Sequence, residues 1–262
     1  MDNWRRRIKH LYQFFVDRPY SPQFLIGNQY EVIRVIGMGS YGITYLCENK
    51  QTRGMCVLKQ MRPSKLKNRE TSSSYQIEAE MLASLEHDGI PKLRDAFHFK
   101  NNQFLVMDYI EGINLEDLLF DKHYRFNELE SLEFLDYLVD IIAYLHTQKV
   151  SHGDIRIPNV MVKNTQLYVI DFGLAVSMKN KSDQEVLELI QKDLYDLGDF
   201  LLFLLYSSYD QISRNDSPWT EELTIHYSTE QLIKRLLQIE PAFESIYQVR
   251  DQLHKILIEH HA

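Results

Sequence analysis

The sequence predicts an α+β protein with two lobes, a smaller β-rich lobe followed by a mainly helical one. Residues 30–110 contain short runs of alternating and β-branched residues, whereas long stretches after residue 114 carry apolar residues at helical spacing. A length of 262 residues suits two lobes that share a cleft. The predicted divisions are a helical extension over 1–27, a first lobe over 28–110 and a second lobe over 111–262.

Composition and charge exclude several classes of protein. With 44% hydrophobic and 25% charged residues, the chain has the make-up of an ordinary globular protein. Its net charge of -8 argues against a dedicated nucleic-acid binder. No stretch approaches the ~20 apolar residues of a membrane span, and the start lacks the apolar core of a signal peptide. Cys47 and Cys56 are expected to be buried thiols, which favours a reducing compartment and a cytoplasmic protein.

A basic amphipathic segment lies within residues 1–27. The run Trp4–Phe15 has apolar residues at helical spacing and basic residues between them, and Pro19 then ends the predicted helix. We expect the apolar face to pack on the rest of the protein. The alternative is a contact with an anionic membrane surface or an acidic partner.

A glycine-rich turn joins the first two long strands. The strand Tyr30–Ile36 runs into Gly37-Met38-Gly39-Ser40-Tyr41-Gly42, and the strand Ile43–Cys47 follows. In a dinucleotide-binding fold such glycines lead into a helix, whereas here they lead into another strand. A flap of this kind can cover triphosphate oxygens with backbone N–H groups, because glycine permits a close approach. An ordinary glycine-rich hairpin is the alternative.

A lysine stands alone among apolar residues in the third strand, Met55–Met61. Burying an unpaired lysine is costly, so Lys59 should have an anionic partner. The predicted helix Ser74–Leu85 offers Glu78, which adjoins its apolar stripe and is chosen over Glu80. A solvated surface glutamate is the alternative. The residues expected on the inner stripe are Ile77, Met81, Leu82 and Leu85.

Two further strands are predicted over Leu93–Phe99 and Gln103–Ile110, followed by a connector near residues 107–114. Helices then dominate, and the longest stripe of apolar residues lies in Leu129–His146.

Two carboxylates and an amide follow on adjoining loops. The chain reads H-x-D-x-x-x-x-N from His152 to Asn159, then a short hydrophobic hairpin, then Asp171-Phe172-Gly173. Phosphoryl transfer needs a group that orients the attacking hydroxyl and oxygen ligands for Mg²⁺ or Mn²⁺. Asp154 suits the first task, and Asn159 with Asp171 suits the second.

These elements, in this order and spacing, resemble the eukaryotic-like (Hanks-type) serine/threonine protein kinase family over roughly residues 28–260, in a compact bacterial form. The resemblance implies a bilobal protein-kinase-like fold, ATP and Mg²⁺ as cofactors and a protein substrate. It also implies that Lys59, braced by Glu78, holds the α- and β-phosphates and that Asp154 orients the hydroxyl. Arg156 would face the transferring phosphate.

The resemblance further implies a nucleotide pocket. Met107 corresponds to the gatekeeper, and Thr44 and Val57 lie where the family covers the adenine ring. Asp193 would begin the central helix of the second lobe and brace the catalytic loop. The expected nucleotide-binding residues are Gly37, Met38, Gly39, Ser40, Tyr41, Gly42, Thr44, Val57, Lys59, Met107, Asp108, Ile110 and Met161.

The departures from the family concern regulation and peptide docking. Gly153 replaces the arginine that receives an activation-loop phosphate, and Arg156 replaces the usual lysine. Asp193 follows Asp171 by only 22 positions, no A-P-E occurs in this interval, and Glu244 stands where the arginine that pairs with the A-P-E glutamate would fall.

Three functions therefore stay open. The first is a serine/threonine protein kinase. The second is a small-molecule phosphotransferase, because His-Gly-Asp with a later Asn resembles aminoglycoside and choline kinases, whose acceptor is a small alcohol. The third is a pseudokinase scaffold, which the altered adenine cover and the short segment favour.

Overall fold

The computed structural model describes residues 18–39, 42–61, 69–209 and 217–261. The chain forms two compact units. Of the described residues, the first comprises those up to Glu86 together with Pro91–Tyr109, and the second comprises His87–Ile90 together with those from Ile110 onward. The predicted basic helix at the start lies outside the described residues. The predicted α+β class, with a β-rich part followed by a helical part, is confirmed.

The first unit is built on one antiparallel sheet and one helix. Its elements are β1 (Leu25–Ile26), β2 (Tyr30–Met38), β3 (Gly42–Asn49), β4 (Met55–Met61), α1 (Arg69–Ser84), β5 (Leu93–Phe99) and β6 (Asn102–Asp108). The strands lie in the order β1-β2-β3-β4-β6-β5. Strand β6 ends two residues before the predicted Ile110, because that residue already belongs to the second unit.

The residues just before β1 pack on this sheet. The ring of Tyr20 stacks on Phe24 at 4.6 Å, and its backbone N–H donates to the hydroxyl of Tyr45 at 3.2 Å. That hydroxyl donates in turn to the side-chain oxygen of Gln60 at 2.6 Å. The described part of the predicted N-terminal extension is thus tied to the core of the first unit. Whether residues 1–27 form a separate helical extension stays a prediction.

Helix α1 differs from its predicted orientation. Ile77, expected on the inner stripe, is 51% exposed, whereas Glu78 is 4% exposed. Successive helical positions are rotated by about 100°, so a helix that turns Glu78 inward brings Ile77 to the edge of its buried face. The inward side chains include Tyr75, whose hydroxyl donates to the carbonyl of Phe104 at 2.9 Å. Burial of the glutamate sets the rotation of the helix, and the isoleucine is left at the surface.

The second unit is mainly helical. Its strands are β7 (Ile113–Asn114), β8 (Val150–Ser151), β9 (Val160–Lys163), β10 (Gln166–Val169) and β11 (Val176–Ser177), and its helices are α2 (Leu115–Phe120), α3 (Glu128–Thr147), α4 (Asp183–Tyr206), α5 (Trp219–Glu222), α6 (Tyr227–Leu236) and α7 (Ile246–His261). Strands β10, β9 and β7 form one small sheet, and β11 pairs with β8. Helix α3 packs against α4 and α7 at the centre of the unit.

Helix α4 begins ten residues before the predicted start at Asp193. Ser182 caps it by accepting a hydrogen bond from the backbone N–H of Glu185, and the side chain of Glu185 accepts one from the N–H of Ser182. This reciprocal capping box fixes the first turn at Asp183. The segment from Gly173 to Ser182 is therefore irregular apart from the short strand β11. Helix α4 occupies the remaining positions up to Asp193.

In the described parts of the chain, no helix combines the length and the apolar character that a membrane span requires.

Candidate active site

The loop after β8 is held by one buried carboxylate of α4. The side chain of Asp193 is fully buried and accepts hydrogen bonds from the backbone N–H of His152 at 3.1 Å and of Gly153 at 2.8 Å. The Nε2 atom of His146 lies 2.9 Å from the same carboxylate. A buried carboxylate needs such donors, because its charge has lost water. The predicted bracing of the loop by Asp193 is thus present.

Gly153 adopts a backbone conformation that suits glycine. Its φ angle is +74°, and a Cβ atom placed there would lie 2.8 Å from the carbonyl oxygen of Leu174. Glycine reaches positive φ at little cost, whereas other residues pay about 1 kcal/mol or more. The position that holds arginine in the family is thus occupied here by a glycine, and at this glycine the loop lies close to the chain after Gly173.

Asp154 lies next in the loop, and its side chain is 26% exposed. The side-chain amide of Asn159 donates to the carbonyl oxygen of Asp154 at 2.9 Å and to its Oδ2 atom at 2.8 Å. A 3₁₀ turn over Ile157–Asn159, with Pro158 in its first turn, brings the asparagine back toward the aspartate. The Nε atom of Arg156 also lies 3.2 Å from Oδ2 of Asp154. The structure thus brings these three predicted site residues together.

Asp171 is exposed and follows β10 with a φ angle of +66°. Its Oδ1 atom accepts a hydrogen bond from the N–H of Gly173 at 3.2 Å. The backbone N–H of Ile170 donates to the carbonyl of Asn159 at 2.8 Å, which ties the end of β10 to the catalytic loop. A non-glycine residue at positive φ is uncommon, and aspartate is among the residue types that tolerate this conformation best.

Phe172 anchors this turn in the interior of the second unit. It is buried, and its ring meets the ring of His152 edge-on at 4.9 Å. Burial lowers the pKa of His152, because the imidazolium form has no access to water. Its Nδ1 atom accepts a hydrogen bond from the N–H of Asp154 at 3.3 Å, as a neutral imidazole can.

The donor set at this end of the second unit suits a hard cation. The amide nitrogen of Asn159 is used by Asp154, so its amide oxygen is the atom that remains for a metal, and the carboxylate of Asp171 adds charge. In the described residues no group of three or more His, Cys, Asp and Glu side chains could hold a metal alone. Mg²⁺ commonly uses one or two protein oxygens and takes the rest from phosphates and water, so these ligands fit it.

In the first unit, Lys59 and Glu78 form a buried ion pair. Nζ of Lys59 lies 2.6 Å from Oε1 of Glu78, and the two side chains are 6% and 4% exposed. Strand β4 carries the lysine and α1 carries the glutamate, so the pair joins the sheet to its helix. The predicted choice of Glu78 over Glu80 agrees with this contact.

The glycine-rich turn has one position that admits no side chain. A Cβ atom at Gly42 would lie 2.7 Å from the carbonyl oxygen of Gln60 on the neighbouring strand. The N–H of Gly39 donates to the carbonyl of Gly42 at 3.0 Å, which closes the turn. Ser40 and Tyr41, both predicted nucleotide-binding residues, lie outside the described residues.

The other predicted nucleotide-binding residues divide between the units. Gly37 and Met38 end β2, and Gly37 is opposite Thr44 in β3. Val57 of β4 is opposite Met107 of β6, and both are half-buried. The carboxylate of Asp108 is bound by Arg94 through two contacts at 2.5 and 2.9 Å. Ile110 and Met161 belong to the second unit, where the Met161 sulfur lies 3.9 Å from the amide nitrogen of Asn114.

Residues 30–195 match the family model described as "Protein kinase domain". The chain belongs to the protein kinase family.

Relatives of this kinase agree with the assignment. The "Probable serine/threonine-protein kinase YbdM" of Bacillus subtilis (strain 168) is 37% identical over 250 residues, which is 95% of this chain and 98% of YbdM. "Serine/threonine-protein kinase B" of Synechocystis is 26% identical over 268 residues, which is 87% of this chain and 46% of that protein. The kinase domain of Mycobacterium tuberculosis PknI has the same fold, with a TM-score of 0.70 over 90% of this chain and 99% of that one at 21% identity. The predicted family, fold and enzyme class, a serine/threonine protein kinase, are confirmed.

The sequence did not indicate two side chains near this kinase's catalytic loop. One contacts the loop itself, and the other contacts Asp193, which holds the loop. His146 lies in the last turn of α3 and contacts Asp193, and Asp196 accepts a hydrogen bond from the N–H of Ile155 at 3.2 Å. The spacing of Asp193 and Asp196, three positions apart on one helix, places them on the same face and could have indicated the second. Nothing in the sequence singled out His146.

Proposed function

We propose that this kinase transfers the γ-phosphoryl group of ATP to a serine or threonine hydroxyl of a protein, with Asp154 orienting the acceptor. The observation that carries the proposal is the arrangement of Asp154 itself. Its carboxylate is partly exposed, held by the amide of Asn159 at 2.8 Å, and part of a loop braced by Asp193. A carboxylate fixed in this way can accept a hydrogen bond from a hydroxyl and direct its lone pair.

Nucleotide binding is assigned to residues of the first unit. Lys59 would contact the α- and β-phosphates while Glu78 holds its ammonium group in place. The backbone of the turn from Gly37 to Gly42 would cover the phosphates, because Gly42 lets the chain lie against β4. Thr44, Val57, Met107 and the backbone of Asp108 would contact the adenine.

Asn159 and Asp171 would hold a divalent cation. Their oxygens suit Mg²⁺ or Mn²⁺, which neutralises phosphate charge when bound. Arg156 would add positive charge beside the acceptor. It contacts Asp154 at 3.2 Å and is 61% exposed, so its guanidinium can exchange that contact for a phosphate oxygen without breaking buried structure.

Activation does not depend on a phosphate in the segment after Asp171. Gly153 offers no charge to receive one, and the irregular part of the segment ends at Ser182, where α4 begins. This short segment also leaves little chain to dock a peptide, so substrate recognition would use other surfaces.

The cellular location and a further partner are proposed from the two cysteines and from the basic segment near the start of the chain. Cys47 and Cys56 are free and buried, which agrees with a reducing compartment, and we assign the protein to the cytoplasm. The basic segment within residues 1–27 is proposed to contact an acidic partner or an anionic surface.

The decisive experiment compares the wild-type protein with Asn159→Ala while Mg²⁺ is varied at fixed ATP and a general protein substrate. We expect the variant to need more Mg²⁺ for half-maximal transfer and to lose most of its kcat. Asn102→Ala, on β6 of the first unit, is the matched control and should behave as wild type. Transfer by Asn159→Ala at the wild-type Mg²⁺ requirement would contradict the metal assignment, and transfer to small alcohols without protein labelling would contradict the acceptor.

A further inference from the structure

Two carboxylates on one face of α4 contact the catalytic loop at different points. Asp193 accepts the N–H groups of His152 and Gly153. Asp196, three positions later, accepts the N–H of Ile155 at 3.2 Å through its Oδ2 atom. The two contacts lie on either side of Asp154, so the helix holds the loop before and after the proposed catalytic aspartate.

With the second carboxylate, each backbone N–H from His152 to Ile155 has a side-chain acceptor. Asp193 takes the first two, the imidazole of His152 takes that of Asp154, and Asp196 takes the last. Three of these four bonds go to carboxylate oxygens, and hydrogen bonds to an ionised acceptor are stronger than those to a neutral one. A loop whose consecutive N–H groups are all directed at fixed acceptors has little freedom to shift its backbone.

Asp196 has a charge partner of its own. Nζ of Lys192, one turn earlier, lies 2.9 Å from Oδ2 and 3.2 Å from Oδ1 of Asp196. The Asp196 side chain is 17% exposed, and the charge of Asp193 lies nearby. Burial raises the pKa of Asp196, whereas Lys192 and the N–H of Ile155 act in the opposite direction. The lysine therefore compensates a second carboxylate that would otherwise repel Asp193.

We propose that Asp196 is a positioning residue for phosphoryl transfer, and that Lys192 keeps its carboxylate available to the N–H of Ile155. The inference rests on the proposed role of Asp154. In this proposal Asp196 does not contact the substrate. It affects the reaction by fixing the backbone that carries Asp154. In-line transfer is sensitive to such placement, since a shift of about 1 Å can lower the rate about a hundredfold.

The test measures kcat, the KM for ATP and thermal unfolding for four variants of the full chain. Asp196→Ala should lower kcat about tenfold or more and leave the KM for ATP within about twofold, because the loop moves but the nucleotide contacts stay. Asp196→Asn keeps an acceptor oxygen and should stay within about threefold of wild type. Lys192→Met keeps the aliphatic stem, and its kcat should lie between those of Asp196→Ala and Asp196→Asn. Asp199→Ala, which removes an exposed carboxylate one turn later on α4, is the control.

Hydrogen exchange at the amide of Ile155 gives a readout that does not need activity. Asp196→Ala should speed it, and Asp199→Ala should not. Unchanged kcat or unchanged exchange in Asp196→Ala against an active wild type would overturn this inference alone. Equal losses in Asp196→Asn and Asp196→Ala would overturn it as well, since the acceptor oxygen would then be irrelevant. A wild-type protein that transfers no phosphate would overturn both the inference and the proposed function.

Discussion

Nζ of Lys59 and Oε1 of Glu78 lie 2.6 Å apart in the interior of the first unit. Two charges removed from water are tolerated because each satisfies the other, and the loss of one partner leaves a buried charge without its counterpart. Removing one partner is therefore expected to change the stability of the protein as well as its binding of nucleotide.

Glu78→Leu should lower the free energy of unfolding by about 3 kcal/mol, because it leaves the Lys59 ammonium buried without its carboxylate. The double variant Lys59→Met/Glu78→Leu should regain most of that loss, since both charges of the pair are then removed. Urea unfolding of the two single variants and the double variant measures this cycle. Arg94→Ala, which removes the exposed partner of Asp108, is the control and should change the free energy by less than about 1 kcal/mol. Additive losses at Lys59 and Glu78 would contradict the pairing.

Gly153→Ala should destabilise the second unit by at least about 1 kcal/mol, because alanine at a φ of +74° is strained. The added Cβ would also press on the carbonyl oxygen of Leu174 at 2.8 Å. Thermal unfolding measures the loss, and Gly54→Ala is the control, because its Cβ would have no neighbour closer than the Thr52 side chain at 3.4 Å. A variant as stable as wild type would show that the loop has room for a side chain.

Ser177→Ala and Ser182→Ala should leave kcat unchanged, because Gly153 provides no charge to receive a phosphate at either position. The Ser182 variant should still lose about 1 kcal/mol of stability, since its hydroxyl caps α4. Ser182→Asp keeps a capping oxygen and should be as stable as wild type. Kinase assays at equal folded concentration check the first expectation, and a large loss of kcat in Ser177→Ala would contradict it.

Acid should destabilise the wild-type protein partly through His152. Its pKa is lowered by burial in the folded state, whereas the unfolded residue titrates near ~6.5. Above that pH both states hold a neutral imidazole. As the pH falls below it, only the unfolded state gains the proton, so the free energy of unfolding decreases. Between about pH 7.5 and 5, the free energy of unfolding should therefore depend less on pH in His152→Phe than in the wild type. His123→Ala, at an exposed histidine, should keep the wild-type dependence, and an unaltered slope in His152→Phe would contradict the account.

The sequence predicted those parts of the site that depend on residue type and spacing. The spacing of Lys59 and Glu78 led to the ion pair, and the approach from Asp193 to the catalytic loop also followed from the motif. The alternation of the strands and the apolar stripe of α3 predicted those elements to within one or two residues. In each case one dominant interaction determines the outcome, either burial of a charge or burial of an apolar face.

Features that depend on competition between interactions were not predicted. Ile77 is exposed because Glu78 takes the inward position on α1. The early start of α4 follows from the capping box at Ser182, which outweighed the expectation of an irregular segment up to Asp193.

The segment around Phe243 and Glu244 is held by contacts that the sequence did not indicate. The guanidinium of Arg235 stacks on the ring of Phe243 at 3.7 Å, and the side chain of Gln191 donates to the carbonyl of Phe243. The segment near Glu244 is thus held from α4 and α6 without the arginine that the family places there. Such contacts depend on the folded arrangement of the chain and leave no pattern in it.

The most direct test of the central claim is mass spectrometry of the intact and digested protein after incubation with Mg²⁺ and ATP, for wild type and Asp154→Asn. Asparagine keeps the size of the side chain, but it replaces one carboxylate oxygen with a donor and removes the negative charge, so it holds and orients the acceptor hydroxyl far more weakly. We expect phosphoserine or phosphothreonine in the wild type and in an added protein substrate, and at most traces with Asp154→Asn. Equal phosphorylation by the two proteins would contradict the assignment of Asp154.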